Sequence, residues 1–262
     1  MKFIKGFLIG LQFFTAIPIT KELPIDQIHL KRTIQAFPLI GLFQGILYSL
    51  LFFVMREYTP FSHLAMSFLL WLAMILLTGG IHLDGWMDAS DAFFSYRDKE
   101  KRLEIMKDPR TGAFGVISIL ILLSSRFLFL YEFTITNQNS AYFLIMTIPF
   151  LGKTIMGVML LTVKSAKQEG LGYLFQSAAG ASALTIYPVY LLVYFIGSLF
   201  FFKHILFMGI LIFSAVVFCL FCRRKAMKWF GGITGDVMGA TVEGAELFLW
   251  MIVWLLHYFV MV

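Results

Sequence analysis

Charge is scarce in this chain, and so is cysteine. Only 14% of the 262 residues are Asp, Glu, Lys or Arg, against 60% hydrophobic, and no polar block is long enough to make a soluble domain. That deficit argues against an ordinary soluble globular protein. The two cysteines, Cys219 and Cys222, form one C-x-x-C inside an apolar run. A zinc site wants a second pair or nearby histidines, and a redox motif wants a βαβ setting, so these two read as packing residues. G-x-S-x-G, H-E-x-x-H and Walker A sequences are also missing, which leaves covalent serine, zinc-protease and P-loop chemistry without support. No solenoid-period repeat and no low-complexity tract is visible.

What the chain has instead is long apolar runs. A mean hydropathy of +0.84 and 30 phenylalanines point to an all-α polytopic membrane bundle, a single catalytic domain over 1–262. Seven runs have roughly the ~17–25 residues that a spanning helix needs. They fall at 34–55, 61–81, 113–132, 141–163, 184–202, 204–222 and 245–262, the break between the fifth and sixth resting on Lys203-His204. Residues 3–17 follow Lys2 and Lys5 like a signal peptide, but Thr15-Ala16-Ile17 leads into Pro18 with no small-x-small cleavage site. They read as a retained short helix, re-entrant or interfacial. Fifteen of the 21 cationic residues lie at 20–33, 82–112, 164–183 and 223–244, while 56–60, 133–140 and 203–204 carry only Arg56 and Lys203. By the positive-inside rule the first set faces the cytoplasm of a bacterial or archaeal cell membrane. The net charge of +6 is therefore loop charge beside a bilayer, not a nucleic-acid surface.

Against this background the carboxylates are unevenly placed. Seven of fifteen lie within 84–108, and Asp236, Glu243 and Glu246 bring the total in two stretches to ten. Asp84, Asp88 and Asp91 follow an i, i+4, i+7 pattern, which on a helix puts all three on one face. No Lys or Arg occurs in 75–96 to neutralise them, and Trp86, Met87, Phe93 and Phe94 imply partial burial, where an unpaired carboxylate is costly. Oxygen-rich clusters of this kind suit Mg²⁺ or Mn²⁺. Asp98, Glu100 and Glu104 have basic neighbours one to four positions away and read as a solvated helix face. Asp236 and Glu243 are seven apart at the entry to the last apolar run, and membrane-edge acids are functional candidates.

Asp84, Asp88 and Asp91 are thus expected to be the main metal ligands, with Asp108, Asp236 and Glu243 as further ligands or outer-sphere partners. Either Asp91 or His82 serves as general base. Arg126 and Lys153 fall inside expected spans, where a bare charge costs at least ~2.5–3.5 kcal/mol. They face the acids, pair with carboxylates, or contact substrate phosphates. Arg102, Arg110 and Lys153 are the expected phosphate contacts. Acids and cations together point to metal-assisted phosphoryl transfer at a membrane surface. The rival is ion-coupled transport, which would bury its acids mid-span.

The chain resembles the cobalamin (5'-phosphate) synthases, also called adenosylcobinamide-GDP ribazoletransferases. The resemblance runs through Phe13–Pro18, Phe37-Pro38-Leu39-Ile40-Gly41, Gly79–Asp91, Lys101–Gly112, Gly170-Leu171-Gly172 and Gly231–Glu243. It implies a Mg²⁺-dependent enzyme of the last steps of cobalamin assembly. Its substrates would be adenosylcobinamide-GDP and α-ribazole or α-ribazole 5'-phosphate, and it would release GMP. A looser similarity is to CDP-alcohol phosphatidyltransferases, but Asp88-x-x-Asp91-Ala92 lacks their Ala-Arg pair. Lipid bilayer and the two small molecules are the expected partners; a homo-oligomer stays open.

Overall fold

The computed structural model describes residues 1–135, 141–199 and 205–260. Among them there is no named strand, and the chain runs as helices: α1 (Lys2–Phe14), α2 (Gln27–Tyr58), α3 (His63–Thr78), α4 (Ile81–Phe94), α5 (Lys99–Ile105), α6 (Ala113–Ile135), α7 (Ala141–Thr162), α8 (Gly170–Ser177), α9 (Tyr187–Ser198), α10 (Ile205–Phe230) and α11 (Gly235–Val260). A 3₁₀ turn, Ala181–Ile186, leads into α9. Among the described residues six segments are long and apolar enough to cross a membrane, with α3 and α4 together a seventh that is bent by 86°. This is the expected polytopic helical architecture. The expected break at Lys203-His204 and the connection at 136–140 lie outside the described residues.

Two elements correct the expected boundaries. The last helix begins at Gly235 and not near 245, and α10 continues to Phe230, so the segment read as a loop at 223–244 is mostly helix around a short turn. Likewise 82–112 contains α4 and α5. Polar residues made these stretches look like connections; packing and capping make them helical. Thr234 starts α11 by accepting the Val237 amide at 3.1 Å through Oγ1, and Asp98 starts α5 by accepting the Lys101 amide at 2.8 Å.

α7 is the buried centre of the bundle, sheathed chiefly by α2, α11 and α10. The backbones of α2 and α7 nearly touch: a Cβ on Gly41 would lie 2.1 Å from the Pro149 carbonyl oxygen, and one on Gly45 2.6 Å from Met146 Cα. This is small-xxx-small packing, in which missing side chains let helices approach. At about 1.5 Å per residue, the 13 residues of α1 span about 20 Å, too short for a ~30 Å hydrocarbon core. α1 packs along α2, and its exit is tied to the end of α3 by the Ala16 amide donating to the Leu77 carbonyl at 2.7 Å.

The element that positions the acids is α4. Gly79 and Gly80 both take left-handed φ, +64° and +76°, which costs little only without a Cβ. They end α3, start α4 and turn the chain by 86°. We therefore read α4 as lying outside the spans. α4 packs on α6 and, more extensively, on α11.

Candidate active site

The crossing of α4 and α11 sets the site. A Cβ added to Gly85 would come within 2.8 Å of Asp236 Cα, and one on Gly239 would meet the His82 carbonyl at 3.0 Å. Gly85 thus admits the backbone of Asp236 into the turn of α4 that carries Asp84 and Asp88. Asp84 is exposed at this edge, while Asp88 and Asp236 are half-buried. Burial, reinforced by the charges of Asp84, Asp236 and Asp91, raises the Asp88 carboxyl from its usual range to about 6. Lys167 is the cation that opposes this crowding at Asp236, and it also donates to the Leu103 carbonyl at 2.9 Å. Asp84 and Asp236 line a cavity of about 260 Å³ together with His82, Phe14, Gly172 and Phe175.

Asp91 is on the same face of α4 but differently employed. Its Oδ2 accepts the Gly112 amide and its Oδ1 the Gly115 amide, both at 2.7 Å, so it clamps the first turn of α6. Asp108 accepts two side-chain hydrogen bonds from Arg110, at 2.9 and 2.6 Å, and Arg110 holds its carboxyl down at about 2. Arg102 is spent on carbonyls, donating to Trp229 at 3.2 Å and Phe93 at 3.3 Å.

Beneath the acids runs a buried polar layer. Arg126 of α6 donates to Glu243 of α11 at 2.5 Å, both side chains 3% exposed. Lys153 of α7 lies 2.9 Å from His82 Nε2, both buried. Since Lys carries only donors when protonated, Nε2 must then accept, which leaves Nδ1 as the only ring nitrogen free to carry hydrogen. The Phe14 ring stacks on His82 at 5.8 Å and 20°.

The structure therefore brings together Asp84, Asp88 and Asp236. It assigns Asp91, Asp108, Arg102, Arg110 and Lys153 protein partners, and it places Glu243 with Arg126 in a separate buried pair. No three His, Cys, Asp or Glu side chains among the described residues converge as they stand on a single ion position. The donor chemistry nonetheless fits a hard divalent cation: oxygen-only ligands, short of counter-charge, with Asp88 raised by burial and then by its acidic neighbours. Sequence reasoning did not single out Lys167, Thr234 or Phe14. Only Thr234 had a visible signal, as a Thr directly before Gly235-Asp236 in N-cap position.

Fold and buried charge define a polytopic helical membrane protein with an acidic site on a bent helix. The family model for cobalamin-5-phosphate synthase matches residues 6–254. The chain belongs to that family of enzymes. It is 43% identical to the adenosylcobinamide-GDP ribazoletransferase of Geobacillus sp. (strain WCH70), over 98% of each chain. It is 39% identical to that of Geobacillus thermodenitrificans (strain NG80-2), over 96% of each, and 34% identical to that of Clostridioides difficile (strain 630), over 97% of this chain and 98% of the relative. No solved structure matches the chain significantly.

Proposed function

We propose that this chain transfers the phosphoryl-cobinamide part of adenosylcobinamide-GDP to α-ribazole or its 5'-phosphate, at the cytoplasmic face of a cell membrane and with Mg²⁺. The observation that carries the reading is Asp84 and Asp236 lining one cavity, with Asp88 in their electrostatic reach, in a member of this family. In the reaction a ribazole hydroxyl oxygen forms a bond to the phosphorus that bears cobinamide. The bond from that phosphorus to the bridging oxygen breaks, GMP leaves with the bonding pair, and the hydroxyl proton passes to a base.

Asp84, Asp88 and Asp236 are the residues that would hold Mg²⁺, which supplies charge neutralisation of the diphosphate. The chain's own contribution is placement. The α4–α11 crossing fixes the acids, Lys167 stands beside Asp236, and Phe14 and Phe175 give the cavity an apolar wall. Of the two candidate bases, Asp91 has both oxygens occupied by amides, whereas His82 lines the cavity with its Nε2 against Lys153.

The test is GMP release from adenosylcobinamide-GDP, α-ribazole and Mg²⁺ by the purified protein in lipid. Release that needs all three is expected. Folded protein that produces no GMP would overturn the reading.

A further inference from the structure

The acids occupy one face of α4, and the opposite face opens on a larger cavity that the reaction above does not use. Its volume is about 840 Å³, and α4, α6, α10 and α11 enclose it. Trp86 and Phe93 of α4, Phe114 and Ile121 of α6, and Phe218 and Trp229 of α10 line it almost without polar groups. Ile117, Ile121 and Phe221, also lining residues, are 52%, 61% and 49% exposed on the bundle surface, so the cavity opens sideways, where a bilayer would lie.

One end of the cavity is cationic. On α10 the lining stripe Phe218, Phe221, Cys222 reaches Lys225, whose ammonium lies 4.7 Å from the Trp229 ring centre and 5.2 Å from that of Phe221. Arg224 and Lys228 stand beside it on the adjoining surface, and Arg223 completes a group of four. None of the four forms an ion pair among the described residues. The indole N–H of Trp86 is buried without a hydrogen-bond partner among them.

We propose that this cavity binds an anionic phospholipid, with an acyl chain between α6 and α10 and the phosphate against Lys225, Arg224 and Lys228. Apolar walls exclude a nucleotide from the interior, since nothing there would pair its charges. Four unpaired cations at one end call for an anion outside it. A long apolar chain ending in a phosphate meets both demands. The proposal does not depend on the reaction assigned to the acidic site.

The test is tryptophan quenching in phosphatidylcholine nanodiscs doped with brominated phosphatidylglycerol or brominated phosphatidylcholine. The signal of Trp86 and Trp229 is isolated by difference from a W86F/W229F variant. Brominated phosphatidylglycerol is expected to quench that signal at roughly thirtyfold lower mole fraction than brominated phosphatidylcholine, from the attraction of at least two cations near the surface. The preference should vanish in R224Q/K225Q and, in the unaltered protein, shrink with added salt. Equal quenching by the two lipids, or a preference indifferent to salt, overturns the proposal. So does relief of lipid quenching by adenosylcobinamide-GDP, which would give the cavity to the substrate.

Discussion

Asp88 is the residue whose chemistry is most exposed to test. Its carboxyl titrates at about 6 in the folded chain against 3.8 when unperturbed, with burial as the largest cause. Between those two pH values the folded state keeps a proton that the unfolded chain has lost, so the metal-free protein loses stability as pH rises through the window. Asp88→Asn removes that penalty. Metal-free Asp88→Asn is expected to melt higher than the unaltered protein at pH 7.5, with the gap closing towards pH 5, while Mg²⁺-dependent GMP release is lost. Thermal unfolding in detergent and the GMP assay check the two halves. Equal melting at both pH values would show that the Asp88 carboxyl is not raised in the fold. Arg126 and Glu243 invite a second test, because removing Glu243 takes the hydrogen-bonded counter-charge from a buried guanidinium and leaves only the more distant charge of Glu246. Glu243→Gln should cost about 3–5 kcal/mol, whereas replacing both residues with Met should cost much less. A double-mutant cycle read by thermal unfolding separates these outcomes.

Among the elements, α4 and α11 act as a pair whose spacing Gly85 sets. Gly85→Ala would place a Cβ 2.8 Å from the Asp236 backbone and push the helices apart. A displacement near 1 Å at reacting groups costs roughly a hundredfold in rate. GMP release by Gly85→Ala is therefore expected to fall by about that factor with the helical circular-dichroism signal retained; full activity would show that the crossing does not set the acids. The apolar runs were legible in the sequence because each is long and holds at most two charged residues. It concealed the first ten residues of α11, since Asp236, Gly239, Thr241 and Glu243 look like a loop until α4 and Arg126 are packed against them. The i, i+4, i+7 acids were legible as one helical face, but not that Asp91 would be drawn off to the amides of Gly112 and Gly115. Nor does any local pattern announce Lys153 against His82, 71 residues apart. The Gly41-x-x-x-Gly45 spacing was present in the sequence and marks the tightest contact of α2 with α7.

At the scale of the whole molecule, the basic loops and the acidic site are expected on one side of the membrane. Tyr96, exposed just beyond α4, gives a handle on this. In a variant with Cys219 and Cys222 replaced, Tyr96→Cys should react with an impermeant thiol reagent in inverted vesicles and not in right-side-out ones. The opposite pattern would reverse the topology.

The pairing of Arg126 with Glu243 also has a consequence for biosynthesis. The two are 117 residues apart, so at about 5–20 residues per second the ribosome delivers the guanidinium on the order of ten seconds before its carboxylate. During that interval α6 must carry an uncompensated charge, at ~2.5–3.5 kcal/mol if already in the bilayer. The insertion machinery therefore has a reason to hold α6 at the edge of the lipid until α11 arrives. The same arrival brings Asp236 to Asp84 and Asp88, so the acidic site cannot assemble on an unfinished chain.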